Sequence, residues 1–368
     1  MFGSYSERSW WSLIGRITDM NPTSAIALGK FFLLQNRTPT YLLMFVTNRC
    51  EAKCSHCFYW KARNSGIREL SLDEIEAFAR RLGPMIQVTL TGGSPELRQD
   101  LAEIGSIFWR HCVPMNITLC SNGNHPDKLF EDVAEIYRRH PDCRLTVDIS
   151  LDGLHEEHDR LRGIDGLFDN VVRSYRRLEM LRRDHQNLRL GCGLCVSGLN
   201  KHSALHTARW AMENLPLDNF TPVLVRGEPQ EPAASDTDPE VFLAIAGEVE
   251  KRLRSRSYRG YASFSNIVNR KDIIQKRLIH DIYTSHGSPI RCGAARETAV
   301  VYPDGTVAGC ELRDEILGSL PEHGMNIAGI WRGGETRKFR KQIRDAKCWC
   351  WHQCFLSPTI MKSPRLWM

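Results

Sequence analysis

The sequence predicts an α/β fold in which six parallel strands alternate with helices, followed by a smaller α+β module that carries cysteines. Six short apolar runs follow residue 40, and stretches with helical spacing lie between most of them. This alternation is typical of βαβ units, which form parallel sheets with right-handed crossovers. The runs span residues 41–46, 86–91, 115–120, 145–151, 188–196 and 219–225.

The helices between these runs have signals at their first turn or along one face. Ser71 and Glu74 form a capping box that opens the first helix, and Pro126 suits the first turn of the third. In the second helix, apolar residues recur every three or four positions, as a single buried face requires. The predicted helices span residues 72–82, 97–108, 126–137, 167–184 and 202–214.

The bulk composition narrows the class of protein. The chain has 368 residues, of which 42% are hydrophobic and 25% charged, an ordinary globular composition. Its net charge of +6 permits an anionic substrate but does not indicate a nucleic-acid partner. Thirteen cysteines in a long chain without an export signal predict metal ligands in a reducing compartment, which is the cytoplasm.

Four regions are predicted along the chain. The N-terminal region contains Trp10 and Trp11 but no apolar run long enough to cross a membrane. We expect this region to pack on the strand–helix domain, with transient membrane contact as the alternative. The predicted regions are a helical extension at 1–38, the strand–helix domain at 39–227, a linker with bridging helices at 228–290, and the second cysteine module at 291–368.

Three cysteines after the first predicted strand are the most informative feature of the sequence. Cys50, Cys54 and Cys57 follow the apolar run 41–46 with the spacing CxxxCxxC. Three thiolates on one tight loop can hold three irons of a cubane cluster, whereas such clusters normally have four cysteine ligands. The fourth iron is then open to a small molecule. The alternatives are a zinc knuckle or reduced structural thiols, although a zinc site normally has a fourth Cys or His nearby.

The spacing of these cysteines resembles that of the radical S-adenosylmethionine (SAM) superfamily. The resemblance implies a partial (β/α)6 barrel with a [4Fe–4S] cluster, whose open iron binds the amino and carboxylate groups of SAM. It also implies reductive cleavage of SAM to a 5′-deoxyadenosyl radical and an external one-electron reductant such as flavodoxin or ferredoxin. Active sites of α/β barrels lie where strands end and helices begin, which is where the three cysteines are predicted.

The end of the second strand resembles another motif of this family. Gly92, Gly93 and Ser94 fall where the family has Gly-Gly-Glu, a motif that meets the SAM amino group. Glycines let the backbone approach a ligand closely. Ser94 replaces the usual glutamate, and Glu96 lies two positions further on, so the carboxylate contact is not assigned by this motif.

The end of the fourth strand and the cysteine loop supply the remaining cofactor residues. The run from Ser150 resembles the family's Ser-Leu-Asp-Gly segment. The resemblance implies that Ser150 and Asp152 face the SAM ribose, and that Arg162 holds the SAM carboxylate or braces the loop. His56 stands where the family usually has an aromatic residue, so its ring is expected against adenine. For Arg162, a role in capping a helix is the structural alternative.

Strands five and six provide two candidate catalytic residues. Side chains alternate between the two faces of a strand, so Cys192 and Cys195 are expected on opposite sides of the barrel wall. Cys195 is the candidate hydrogen-atom donor or acid, with an inert buried thiol as the alternative. Arg226, after strand six, suggests an anionic substrate group, and an ion pair with Glu228 or Asp152 is the alternative.

A second group of cysteines follows residue 290. A Pro-Asp-Gly turn between two β-like runs predicts a hairpin, with Cys292 before it and Cys310 after it. The chain then carries Cys348, Cys350 and Cys354. This pattern resembles the SPASM/Twitch extension of radical SAM enzymes, which implies one auxiliary [4Fe–4S] cluster. Cys292 and Cys310 would be two of its ligands, with the other two among the last three cysteines. A structural zinc is the alternative.

The whole pattern predicts a radical SAM enzyme of oxidoreductase type that acts on a small molecule in a biosynthetic pathway, by oxidation or rearrangement. A crosslink-forming peptide maturase and a lipid-modifying enzyme are the alternative enzymes, and a zinc-binding scaffold is the alternative without catalysis. Peptide maturases often carry a peptide-binding domain before the barrel, and only about 38 residues precede the barrel here. The sequence does not identify the substrate, the product or the oligomeric state.

Overall fold

The computed structural model describes residues 22–33, 37–255, 265–346 and 348–367. Its centre is one sheet with the strand order β6-β5-β4-β3-β2-β1-β7-β8-β9. Strands β1 to β6 are parallel, as the alternating pattern predicted, and β7 is parallel to β1. The first six strands are β1 Tyr41–Thr47, β2 Gln87–Gly92, β3 Asn116–Ser121, β4 Leu145–Ser150, β5 Leu188–Val196 and β6 Asn219–Leu224.

Helices cover the outer face of the parallel strands, and the predicted capping box at Ser71 and Glu74 is present at the first turn of α2. Pro126 begins α4, as predicted. Helix α1 packs on the barrel through the buried residues Ala27 and Phe31, whereas the predictions for Trp10 and Trp11 lie outside the described residues. The helices up to β6 are α1 Pro22–Leu33, α2 Leu72–Leu82, α3 Leu101–Cys112, α4 Pro126–Arg139, α5 Glu156–Arg162, α6 Leu167–Asp184 and α7 Ala204–Asn214.

The chain after β6 stays close to the barrel. Residues 230–231 bind the cysteine loop through two backbone hydrogen bonds, from Gln230 to Cys57 and from Glu231 to Ser55. The predicted linker is therefore held against the barrel mouth at its start. Two helices, α8 Pro239–Arg254 and α9 Ser265–Ser285, then follow.

The second cysteine module extends the barrel sheet. Strand β7 pairs in parallel with β1, and the predicted hairpin at Pro303 to Gly305 joins β7 to β8 in antiparallel pairing. The first and second cysteine regions consequently share one continuous sheet. The remaining elements are β7 Thr298–Val301, β8 Thr306–Ala308, β9 Ile316–Ser319, α10 Ile327–Arg332, α11 Gly334–Asp345 and α12 Gln353–Met361.

Side chains of the parallel strands alternate between a buried outer layer and the barrel interior. On β4, Val147 and Ile149 are fully buried, while Asp148 and Ser150 are partly exposed. The carboxyl ends of these strands bring their following loops to one mouth of the barrel. Within the described ranges, none of the helices combines the length and hydropathy that a membrane crossing requires.

Candidate functional site

The loop after β1 carries Cys50, Cys54 and Cys57 at the barrel mouth, and its backbone is fixed on both sides. Asn64 accepts a hydrogen bond from the Cys50 amide at 2.9 Å and donates one to the Cys50 carbonyl at 2.8 Å. The amides of Lys53 and Ser55 donate to the carbonyls of Arg162 and Leu161 at 2.9 and 3.0 Å. The end of α5 therefore braces the middle of the cysteine loop.

The chemistry of the three thiols fits an iron–sulfur cluster. Burial raises the pKa of all three thiols, that of Cys54 to about 12, so a bound cation is needed to make them thiolates at neutral pH. Within the described residues, no three His, Cys, Asp or Glu side chains converge closely enough to hold one metal ion. A cubane instead binds each thiolate at a different iron, so its ligands surround a space rather than a point.

Gly92 and Gly93 allow the end of β2 to lie directly against the cysteine loop. A Cβ on Gly93 would lie 2.0 Å from the carbonyl oxygen of Arg49 and 2.9 Å from the Cβ of Cys50. A Cβ on Gly92, whose φ is +140°, would lie 2.3 Å from the Thr47 carbonyl oxygen. Both glycines therefore lie directly against the backbone of Thr47 and Arg49, where a larger side chain would clash.

Ser94 links this turn to a polar group that the sequence reasoning missed. Its hydroxyl lies 3.4 Å from the Cys50 sulfur and accepts a hydrogen bond from the Asn122 amide at 2.9 Å. Asn122 also donates to Glu51 Oε1 at 3.1 Å. Burial opposes ionisation of Glu51, yet the surrounding Ser94, Asn122 and Asn124 side chains lower its pKa. The only sequence signal for Glu51 was its position beside Cys50.

Asp152 is held by protein groups at the barrel mouth, and its contact with the SAM ribose stays a prediction. Its Oδ2 accepts a hydrogen bond from Arg162 at 2.6 Å and lies 3.4 Å from His56 Nε2, while Oδ1 accepts the Cys195 amide at 2.7 Å. Although burial would raise it, the Arg162 guanidinium lowers the pKa of Asp152 to about 2. Arg162 therefore contacts the loop through its carbonyl and pairs with Asp152 through its side chain, while its contact with the SAM carboxylate stays a prediction.

Two other predicted cofactor residues lie at the same mouth. Burial lowers the pKa of His56 to about 4, so its ring is neutral, and the ring contacts Asp152. The Ser150 hydroxyl, at the end of β4, makes no hydrogen bond to any residue that the structure describes and is partly exposed. Ser150 is thus placed with its polar group free for a ligand.

The candidate catalytic residues Cys195 and Arg226 both lie near the barrel interior. Burial raises the pKa of Cys195 to about 12, so this thiol is protonated at neutral pH. Arg226 donates to Glu311 Oε1 at 3.0 and 3.2 Å and lies over the Phe58 ring at 4.7 Å. Its partner is therefore Glu311, a residue of the second module that sequence reasoning did not connect to it. The charge of Arg226 is balanced without an anionic substrate.

Glu311 joins the barrel mouth to the terminal cysteine segment. It contacts the Nε2 atom of buried His352 as well as Arg226. Although burial would raise it, the charges of His352 and Arg226 lower the pKa of Glu311 to about 2. The carboxylate stays ionised between its two partners and fixes the segment that follows residue 348.

Four of the five later cysteines lie together. Cys292, Cys348 and Cys350 line one small cavity, and Cys350 and Cys292 are both near enough to raise the pKa of buried Cys310. The amides of residues 294 and 312 donate to the sulfurs of Cys292 and Cys310 at 3.5 and 3.4 Å. Amide donors of this kind stabilise the thiolate form, as a cluster ligand requires.

Cys354 faces a different environment. The charges of Glu311, Arg226 and Asp148 act on its thiol, whose pKa burial raises to about 12. Asp148 is in register with Cys120 on β3 and with Gly191 on β5, on the inner face of the barrel. Its buried Oδ1 has no hydrogen-bond partner among the described residues, and burial raises its pKa to about 6. Sequence reasoning missed Asp148, because strand alternation alone did not distinguish it.

Two family models match the regions that contain these cysteines. The model of the radical SAM superfamily matches residues 44–211, which include the loop after β1 and strands β2 to β5. The model of the SPASM iron–sulfur cluster-binding domain matches residues 292–355. These two domain types imply a [4Fe–4S] cluster that binds SAM and an auxiliary iron–sulfur cluster.

Curated relatives differ in what they do. The chain is 27% identical to the Fe-coproporphyrin III synthase of Methanosarcina barkeri over 42% of its own length and 39% of that enzyme. It is 25% identical to the GTP 3′,8-cyclase of Pseudomonas putida over 84% of its own length and 88% of that enzyme. Matches to several other GTP 3′,8-cyclases span half of those enzymes or less.

The fold also matches a solved structure over most of the chain. The structure of Streptococcus suis SuiB bound to S-adenosylmethionine is similar with a TM-score of 0.57 and 14% identity, covering 92% of this chain and 75% of SuiB. The predicted fold class is confirmed by this likeness together with the parallel sheet. The protein carries a radical SAM domain at residues 44–211 and a C-terminal SPASM iron–sulfur cluster-binding domain at residues 292–355.

Proposed function

We propose that the protein cleaves SAM reductively at a [4Fe–4S] cluster on Cys50, Cys54 and Cys57 and uses the resulting radical to abstract hydrogen from a small-molecule substrate. The observation that carries this proposal is the joint position of three thiols at the barrel mouth, one buried and two half-buried, on a loop that packs against Gly93. When bound, the cluster and SAM supply a primary carbon radical. The protein's part is to hold the reacting groups in place and to exclude water.

Several residues would perform this positioning. The buried Asp152–Arg162 pair, with its 2.6 Å contact, ties the end of β4 to the carbonyl that braces the cysteine loop. Because both charges are buried and paired, removing one partner would leave the other uncompensated. The Ser150 hydroxyl is proposed to contact the SAM ribose, and the His56 ring to contact adenine.

The barrel interior supports a small, polar substrate. The unpartnered Oδ1 of Asp148 can accept a hydrogen bond from a hydroxyl or amine of the substrate. Gly193 lies beside Asp148 on β5, and a Cβ added to it would be 3.9 Å from Asp148 Oδ2. Because Gly193 has no side chain, this space next to the carboxylate is open. Cys195 remains the proposed hydrogen-atom donor or acid. Because Arg226 is paired with Glu311, its charge does not by itself indicate an anionic substrate.

The auxiliary site supports a net oxidation. We propose that Cys292, Cys310, Cys348 and Cys350 hold the auxiliary cluster, because these four lie together, whereas Cys354 faces Asp148. An auxiliary cluster at this place could accept the electron left on a substrate radical, and flavodoxin or ferredoxin would supply the electron that cleaves SAM. Oxidation and rearrangement are both compatible with this arrangement.

Peptide modification is the second candidate. A groove of about 500 Å³ runs between the cysteine loop and the hairpin of the second module, lined by Phe58, Tyr59, Gly227, Tyr302 and Leu312 among others. Aromatic side chains beside an open groove suit a peptide. SuiB, whose fold is similar, has also been solved with its precursor peptide SuiA.

Anaerobic reconstitution tests the proposed function without knowledge of the substrate. We expect the reconstituted protein to hold about eight irons, four for each cluster, and to release 5′-deoxyadenosine from SAM when a strong reductant is added. Colourless protein that retains zinc after the same treatment would favour the scaffold alternative. Brown protein that leaves SAM intact would contradict the proposed reaction.

A further inference from the structure

The turn after β2 lacks a carboxylate at the position where the family pattern has glutamate. Ser94 stands there, fully buried, and its hydroxyl contacts Cys50 and Asn122 and also acts on the Glu51 carboxylate. Glu96, the nearest glutamate along the turn, is 2% exposed; its Oε1 accepts a hydrogen bond from Ser121, and its Oε2 has no partner among the described residues. A ligand at the barrel mouth cannot readily reach a side chain buried to this degree. A carboxylate that contacts a ligand at the barrel mouth would therefore come from another element.

Glu51 supplies a carboxylate at this place. Its Oε1 accepts hydrogen bonds from Asn122 at 3.1 Å and Asn124 at 3.3 Å, and His125 Nε2 lies 3.1 Å away. Three polar groups thus converge on one oxygen and fix the orientation of the side chain. Since Glu51 follows Cys50 directly, its carboxylate is held beside the first thiol of the cysteine loop.

The second oxygen of Glu51 is unused. Oε2 is buried and has no hydrogen-bond partner among the residues that the structure describes, and no described lysine or arginine pairs with this carboxylate. Leaving a buried acceptor without a donor is costly, and each such group calls for an explanation. The side chain as a whole remains 25% exposed, so a ligand can approach it.

We infer that Glu51 accepts a hydrogen bond from an N–H of the methionyl amino group of SAM. It thereby provides the carboxylate that Ser94 lacks. The inference rests on the proposed function, because it requires SAM at the cysteine loop. A carboxylate that receives an amino group in a partly dry site forms a charge-assisted hydrogen bond, one of the stronger polar contacts in proteins. Asn122, Asn124 and His125 act on SAM indirectly, by holding Glu51 in position.

The test measures binding rather than turnover. The E51Q variant is reconstituted anaerobically, its iron is counted, and its affinity for SAM is measured by equilibrium dialysis without reductant, so that no cleavage occurs. We expect E51Q to keep about eight irons and to bind SAM about 10- to 100-fold more weakly than the wild type. An analogue of SAM with hydrogen in place of the amino group should bind wild type and E51Q equally.

A double variant provides the matched control. E51Q/S94E returns a carboxylate from the position that the family pattern uses, and we expect it to recover most of the lost affinity for SAM. Equal affinity of E51Q and wild type for SAM would overturn the inference, as would equal weakening for SAM and the analogue. Loss of iron from E51Q would assign Glu51 a role in holding the loop instead. A wild-type protein that does not bind SAM would refute the proposed function itself.

Discussion

Replacing Cys54 by alanine is expected to lower the rate of 5′-deoxyadenosine formation to below about 1% of the wild-type rate, because a cubane with an open iron depends on all three thiolates of its loop. Cys54 is the most buried of the three thiols, with 8% exposure, and burial raises its pKa to about 12. Cys50 and Cys57, the other two described cysteines of this loop, are themselves needed as ligands and cannot replace it. The variant should also lose about four of its irons, since the auxiliary site is separate.

Cys143 provides the matched control for this experiment. It is a fully buried cysteine just before β4, far along the chain from the loop. Replacing it by alanine removes a thiol of the same type and a similar amount of core packing. We expect C143A to keep its full iron content and its rate of SAM cleavage. If C54A cleaves SAM as the wild type does, the thiols of the loop do not hold the catalytic cluster.

The second large effect separates Cys350 from Cys354. If Cys350 is an auxiliary ligand, C350A is expected to lose about four irons, those of the auxiliary cluster, while reductive cleavage of SAM continues at the first cluster. C354A is expected to keep about eight irons, because the thiol of Cys354 lies among the charges of Glu311, Arg226 and Asp148. Each variant lacks one thiol of the same seven-residue segment, 348–354, so each is a control for the other.

Iron analysis and the visible absorption of the anaerobic proteins give the result. Loss of the auxiliary cluster from C354A with retention in C350A would reverse the proposed ligand set. Equal loss from both variants would indicate that the segment must be intact for the module to fold. Retention in both would place the missing ligand on another residue.

Local patterns were sufficient to predict the framework of the fold. The capping box at Ser71 and the proline at 126 act within one helical turn. Each of the six apolar runs indicates a buried strand without reference to the rest of the chain. The joining of β7 to β1 depends on pairing between residues more than 250 positions apart, such as Leu43 and Val300. Periodicity carries no information about such a pairing.

Site residues were predictable where they all lie in one short motif. The three cysteines of the loop after β1 are an example, because their spacing alone predicts that they act together. The contacts that hold Asp152 could not be predicted from its own motif, because Arg162 and the Cys195 amide come from other elements. The same reason explains why Arg226 was not connected to Glu311, and why Glu51 was overlooked beside more familiar residues. Each of these contacts exists only once the barrel has closed around the loop.

The most direct measurement concerns the open iron itself. In the C350A variant, whose auxiliary cluster is expected to be absent, the reduced first cluster can be observed alone by electron–nuclear double resonance with SAM labelled by nitrogen-15 at its amino group. We expect a resolved coupling between the cluster and the labelled nitrogen, because that nitrogen binds the iron that has no cysteine ligand. A cluster spectrum without this coupling, at a SAM concentration that saturates binding, would contradict the claim that the loop leaves one iron open for SAM.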